Sequence, residues 1–185
     1  MNDYKEESHT TSKDDRLGPD YEKLISYFPF PQMRTGQEAI LAKLQEYLLD
    51  PQIHQIIIEA PTGSGKSAFA MTAAKASRSA YVTTANKLLQ EQYQRDFKND
   101  LADLKGRANY DCRRFDQPNG KPYNCGDSPC RKSTQGQEDC SRNKGCDYHH
   151  ALIKASASPS TSFNFAAFLP FVNYVKSYFG RRNVV

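Results

Sequence analysis

The residues with the clearest chemical content are Ala60, Pro61, Thr62, Gly63, Ser64, Gly65, Lys66 and Ser67. Their spacing is that of a phosphate-binding loop, with Ala60 where the first glycine usually stands. Gly63 and Gly65 let the backbone curl until successive N–H groups face one anion. Lys66 brings a positive charge for β- and γ-phosphate oxygens, and Ser67 a hydroxyl for Mg²⁺. A chance Gly-Lys-Ser is the plain alternative. The context opposes it, because an apolar run precedes the loop and an alanine-rich helical stretch follows, aiming its N-terminal dipole at the same anion.

A second set is the five cysteines, spaced Cys112-x12-Cys125-x4-Cys130-x9-Cys140-x5-Cys146. No Cys-x2-Cys knuckle is present, which weighs against a zinc ribbon. Irregular spacing with thiolate ligands suits an iron–sulfur cluster, which takes four cysteines and leaves one over. Zinc and free thiols remain as alternatives. His149 and His150 are possible substitute ligands, although paired surface histidines are commoner.

These groups need elements to hold them. Ile56, Ile57 and Ile58 read as a buried parallel strand ahead of the loop. Ala68 to Ala76 reads as a helix, and Ala80 to Thr84 as a second strand, so the three predict a right-handed βαβ unit. Thr83 and Thr84 then end a strand on the edge where open α/β sheets take ligands, though β-propensity alone explains them. Asn86 to Phe97 predicts a helix with Leu88, Leu89, Tyr93 and Phe97 inward and Lys87, Gln90, Glu91 and Gln94 outward. Upstream, Thr35-Gly-Gln-Glu38 resembles a capping box opening a helix whose apolar face is Ile40, Leu41, Leu44, Tyr47 and Leu48. Arg34 and Gln37 at its start are ordinary helix-entrance polar residues by pattern alone. Tyr148 to Ala157 reads as a helix, Ser160 to Phe165 as a strand or loop, and Ala166 to Phe179 as a helix broken at Pro170. Arg181 to Val185 resembles the opening of a strand.

Composition narrows the class. The chain has 185 residues, 38% of them hydrophobic, and a formal charge of +4. No apolar run approaches the roughly 20 residues needed to span a bilayer. Nor is there the apolar core of a secretory signal, so the expected compartment is the reducing cytoplasm. Residues 1–20 hold six acids and three bases and read as a disordered leader. Between Lys105 and Cys146 aliphatic residues thin out, and nine bases against five acids account for the whole net charge. Such a segment needs a staple, and a metal supplies one.

Taken together, these residues resemble the iron–sulfur superfamily 2 DNA helicases, the Rad3/XPD and DinG-like group. The resemblance runs from about Phe28 to Val185. Phe28-Pro-Phe-Pro-Gln-Met-Arg-Thr-Gly-Gln37 is similar to the family's Arg-x-x-Gln motif, whose glutamine is implied to contact adenine. Glu59 to Ser67 resembles motif I. Tyr81 to Thr84 with Gln90 to Gln92 resembles motif Ia, which faces single-stranded DNA. Lys105-Gly-Arg-Ala-Asn-Tyr-Asp-Cys112 resembles the way into the cluster domain, and Gly145-Cys-Asp-Tyr-His-His-Ala151 its last ligand. Ser162-Phe-Asn-Phe-Ala166 resembles the family's Thr-Asn-Tyr-Ala element, and Ser128-Pro-Cys130 a Pro-Cys ligand. The implied metal ligands are Cys112, Cys130, Cys140 and Cys146, with Cys125 spare.

The expectation is therefore an α/β fold: a RecA-like P-loop NTPase sheet, incomplete, with an inserted iron–sulfur domain. Its parts would be a leader (1–20), the first part of the ATP-binding domain (21–104), a cluster domain (105–147) and a return to the helicase domain (148–185). The implied cofactors are ATP, Mg²⁺ and a 4Fe-4S cluster. Arg34, Gln37 and the loop from Ala60 to Ser67 would bind nucleotide, and Lys66 and Ser67 would act in catalysis. The implied partners are single-stranded or forked DNA and a separately encoded carboxy-terminal helicase half, with no membrane. One family feature is missing. The only adjacent acidic pair after the loop is Glu138-Asp139, with no apolar strand before it, where the family has an Asp-Glu-Ala-His box. The chain thus reads as an amino-terminal helicase fragment unable to hydrolyse ATP alone. A non-catalytic module binding ATP and single-stranded DNA is the alternative; a small P-loop kinase with a zinc insert is more distant.

Overall fold

The computed structural model describes residues 18–131, 145–174 and 182–185. Helix α1 spans Gln37–Leu49, α2 Lys66–Ser77, α3 Lys87–Phe97, α4 Asp147–Ala157 and α5 Phe165–Tyr174. Strands β1 (Ala80–Thr84), β5 (Ser160–Asn164) and β2 (Ala102–Asp103) form a parallel sheet in the order β1-β5-β2. Strands β3 (Asp111–Asp116) and β4 (Pro122–Asn124) form a separate antiparallel hairpin.

Alternation along β1 decides what each face of the parallel sheet carries. Tyr81 joins Phe163 and Leu104 on one face, under Tyr148, Leu152 and Ala155 of α4 and Ala167 of α5. Ala80 and Val82 point the other way, against Met71 and Ala74 of α2 and Tyr93 and Phe97 of α3. The sheet is therefore covered by helices on both sides, which is why all five residues of β5, Ser160 to Asn164, are buried. A third cluster lies behind α2, where Phe69, Ala73 and Ala76 meet Leu24 of a 3-10 turn (Tyr21–Tyr27) and Leu41 and Leu44 of α1. Helix α2 thus has apolar neighbours on two sides, and eight of its twelve residues are buried.

Several sequence expectations are corrected here. The segment carrying Ile56, Ile57 and Ile58 has no regular secondary structure and belongs to neither sheet; only Ile56 packs, against the α1–α2 cluster. Ile57 is 85% exposed. An apolar run becomes a buried strand only when another strand takes its backbone hydrogen bonds, and none of the described residues does so. The predicted βαβ unit accordingly lacks its first strand. The capping box is absent as well: α1 starts from Gly36, in the left-handed conformation (φ 86°), with no side-chain cap. On α3 the assignments of Leu88 and Gln90 reverse. Leu88 is 78% exposed, whereas Gln90 is fully buried because its amide donates to the Asp103 carboxylate and the carbonyls of Leu104 and Ser162. Strand β2, only two residues long, went unpredicted.

At the chain ends, residues 1–17 lie outside the described set, but Asp20 is firmly held. Its N–H donates to the Ala76 carbonyl (2.8 Å), and its carboxylate accepts from Tyr27 and faces Arg78. The expected strand opening near Val185 takes the form of one parallel bridge, Val184 to Ala80, on the edge of β1 away from β5. The predicted last helix is not broken at Pro170 but runs through it from Phe165 to Tyr174; its residues 175–179 lie outside the described residues, and so does Arg181.

Candidate functional site

Residues 60–65 form a loop running directly into α2. Gly63 and Gly65 both take positive φ (83° and 100°), a conformation glycine adopts without strain. A carbon added at Gly65 would collide with Nε2 of Gln37. The loop's carbonyls are held by three side chains. Arg34 Nη1 donates to Gly63 O at 2.8 Å, and Gln37 Nε2 to Ser64 O at 2.9 Å. Lys66 Nζ donates to Ala60 O and Pro61 O at 2.6 and 2.9 Å. Ser64 Oγ is buried with no hydrogen-bond partner among the described residues.

Arg34 and Gln37 reach the loop because the turn before α1 is closed twice. The Arg34 N–H donates to Gln37 Oε1 (2.8 Å), and the Gln37 N–H to the Arg34 carbonyl (3.0 Å). Gln37 is buried while Arg34 is exposed, so one side chain braces the loop from within and the other from its rim. Two cations, Arg34 and Lys66, and the N-terminus of α2 therefore surround the loop. Such a group attracts a polyphosphate. Ser67, on the first turn of α2, is half-buried beside it.

The strand ends expected to face nucleic acid are partly used by the fold itself. Thr84 Oγ1 donates to the carbonyls of Asn86 and Phe163, and Asn164 Oδ1 accepts the Ala167 N–H at the start of α5. Gln90, Gln94, Ser162 and Asp103 form one hydrogen-bonded network under α3. Gln90 is thus turned inward, with its amide committed to this network. Glu91 remains on the surface, where it pairs with Lys105 at 3.1 Å.

Behind the sheet lies the cysteine region. Cys112 sits on β3, Cys125 just after β4, Cys130 in a 3-10 turn (Pro129–Arg131), and Cys146 at the N-terminal boundary of α4. These four residues line one small pocket, together with Arg113, Arg114 and Phe115. Cys125 and Cys130 are buried, Cys112 and Cys146 half-buried. Ser128 Oγ lies 2.8 Å from Cys130 Sγ. Burial pushes the Cys125 thiol up to about 11, and the nearby Cys146 adds to the effect. As they stand, no three Cys, His, Asp or Glu side chains among the described residues are close enough to hold a single metal ion. The pocket includes Cys125, the cysteine left as spare by the sequence reading, while Cys140 lies outside the described residues. Spacing carries no signal for that membership, because the β3–β4 hairpin folds Cys125 back toward Cys112.

The arginines at the pocket differ. Arg113 makes a two-pronged ion pair with Asp147, at 2.8 and 2.9 Å, tying the hairpin to the start of α4. Arg114 lies over the Phe115 ring at 5.6 Å. Tyr110 packs edge-on against Tyr148, and the Arg107 guanidinium lies over the Tyr148 ring at 4.4 Å. His149 is held below its ordinary range, first by burial and then by its neighbour His150.

No helix among the described residues is long and apolar enough to cross a membrane. Comparison with protein-family models, with curated proteins and with solved structures found no match to this chain. The described residues form an α/β chain with a three-stranded parallel sheet, a braced glycine loop at the head of one helix and four thiols around one pocket.

Proposed function

We propose that this chain is the nucleotide-binding part of an ATP-dependent DNA helicase carrying an iron–sulfur cluster. The observation that carries the reading is the contact between two separated motifs: Arg34 and Gln37 lie on the carbonyls of Gly63 and Ser64. A chance Gly-Lys-Ser would have no reason to be met by the Arg-x-x-Gln segment at the entrance of α1. In this reading the backbone N–H groups of the loop hold a triphosphate, Lys66 leaves Ala60 and Pro61 to meet it, and Ser67 faces Mg²⁺.

The four thiols of the pocket fit a thiolate-bound cluster in number and chemistry. Cys112, Cys125, Cys130 and Cys146 would hold it, with Cys140 as the competing fourth ligand. A cluster would cross-link the hairpin to α4 where aliphatic packing is thin. Arg114 and Phe115 at the pocket rim offer charge and a ring face to single-stranded nucleic acid.

Binding without turnover by this chain alone is the second reading, and one observation favours it. Among the described residues Lys66 contacts only carbonyls, and no Asp or Glu side chain is hydrogen-bonded to Lys66 or Ser67. Calorimetry with Mg-ATP tests the proposal. Wild-type protein should bind and Lys66→Ala should not; equal binding by both would overturn the assignment. Brown colour and iron in anaerobically purified protein test the cluster, and a colourless protein with stoichiometric zinc would refute it.

A further inference from the structure

We propose that Arg34 and Gln37 act together as a splint on the loop, setting its shape for any polyphosphate, and that Gln37 is a positioning residue and not a reader of the base. This deepens the nucleotide-binding reading and rests on it.

The argument starts from what a glycine loop needs. To point N–H groups at an anion, the chain must turn carbonyls away from it, and each such carbonyl requires a donor elsewhere. Gly63 O and Ser64 O find theirs in Arg34 and Gln37. Ala60 O and Pro61 O are held by Lys66. These contacts have different futures. Lys66 is the group a phosphate would recruit, so its carbonyl contacts are those of an empty loop. Arg34 and Gln37 hold carbonyls on the far side of the turn and can stay in place when an anion enters.

Gln37 is also poorly free to read a base. Its side chain is 6% exposed, with Oε1 accepting from the Arg34 backbone and Nε2 donating to the loop. It touches Gly65 so closely that a methyl group there would collide with it. Rotating the amide toward a ligand would break both hydrogen bonds and release the left-handed turn it supports. The closure between residues 34 and 37 ties the Gln37 side chain to the Arg34 backbone, and the two side chains hold adjacent carbonyls, Gly63 O and Ser64 O, so removing either should loosen the same loop.

The test measures binding of Mg-ATP, Mg-GTP and inorganic tripolyphosphate to residues 1–185 by calorimetry. The variants are Arg34→Ala, Arg34→Lys and Gln37→Ala, with Lys66→Ala as reference. Each assay is run well below the ligand-free melting midpoint of its variant. Arg34 is exposed, so its variants remain folded even where Gln37→Ala is fragile. Losing a charge-assisted contact to a loop carbonyl should weaken all three ligands by a similar factor, about tenfold for Arg34→Ala. Arg34→Lys, which keeps charge but not the fork, should recover part of that loss. A loss confined to Mg-ATP with tripolyphosphate unchanged would make Gln37 a base reader and overturn the proposal, as would unchanged binding of all three by the Arg34 variants. If the wild-type chain bound none of the three, the nucleotide-binding reading itself would fall, an outcome distinct from failure of the splint.

Discussion

Replacing Gly65 by alanine isolates the contact between the loop and Gln37. Two costs are expected. The first is backbone strain, because Gly65 sits at φ 100° and a left-handed conformation costs a residue with a Cβ roughly 1–2 kcal/mol. The second is displacement of Gln37: the new methyl group would overlap Nε2, the atom that donates to Ser64 O. Moving a buried amide off its acceptor costs about 1–2 kcal/mol more. Gly63 is the internal control. It also has positive φ (83°), but nothing lies within 4 Å of an added Cβ, so Gly63→Ala should pay the strain alone. The difference, about 1–2 kcal/mol, corresponds to a urea midpoint lower by roughly 0.5–1 M for Gly65→Ala at an m-value of about 2 kcal/mol/M. Adding Gln37→Ala to Gly65→Ala should give less than the sum of the two losses, since the clash disappears with the side chain. Equal midpoints for the two glycine variants, or strict additivity in the double variant, would refute the geometry.

Other expectations follow from burial and pairing. Phe163→Ala, at the centre of the sheet with no exposure, should cost about 3–5 kcal/mol by urea denaturation. Ile57→Ala, in an apolar run but 85% exposed, should change stability by no more than about 0.5 kcal/mol. Single-stranded DNA binding, measured by fluorescence anisotropy against salt, should weaken with Arg114→Glu and show a shallower salt slope, whereas Arg113→Gln, whose charge is already paired with Asp147, should change it little. Iron content should fall on Cys125→Ser; full iron with Cys125→Ser and loss with Cys140→Ser would restore Cys140 as the fourth ligand. In metal-free protein the Cys125 thiol has a folded value near 11 against an ordinary 9.0. Its contribution is therefore complete below pH 9 and lost as the pH rises toward 11. Cys125→Ala should flatten that alkaline decline without abolishing it, because burial also raises Tyr21, Tyr81 and Tyr110.

What the sequence by itself determined was local. Helices α1 and α3 follow from apolar residues repeating at the helical period, α2 from its alanine-rich composition, and β1 and β5 from β-branched and aromatic residues between breakers. The glycine positions of the loop were legible because only glycine takes positive φ without strain. Tertiary structure decided whatever depends on a neighbour far along the chain. Ile56 to Ile58 has the composition of a buried strand, yet a strand exists only where a partner accepts its backbone hydrogen bonds. Gln90 looked like a surface residue until Asp103 and Ser162 supplied buried partners for its amide. Arg113 is one of nine bases in its segment, and only the position of α4 brings Asp147 to it. The family resemblance left Cys125 as the spare, but the β3–β4 hairpin folds it into the pocket with Cys112, Cys130 and Cys146. Arg34 and Gln37 gained their place on the loop in the same way. Residues separated by 29 and 27 positions meet there because α1 and α2 share one apolar cluster, and side-chain burial, not local pattern, sets that approach.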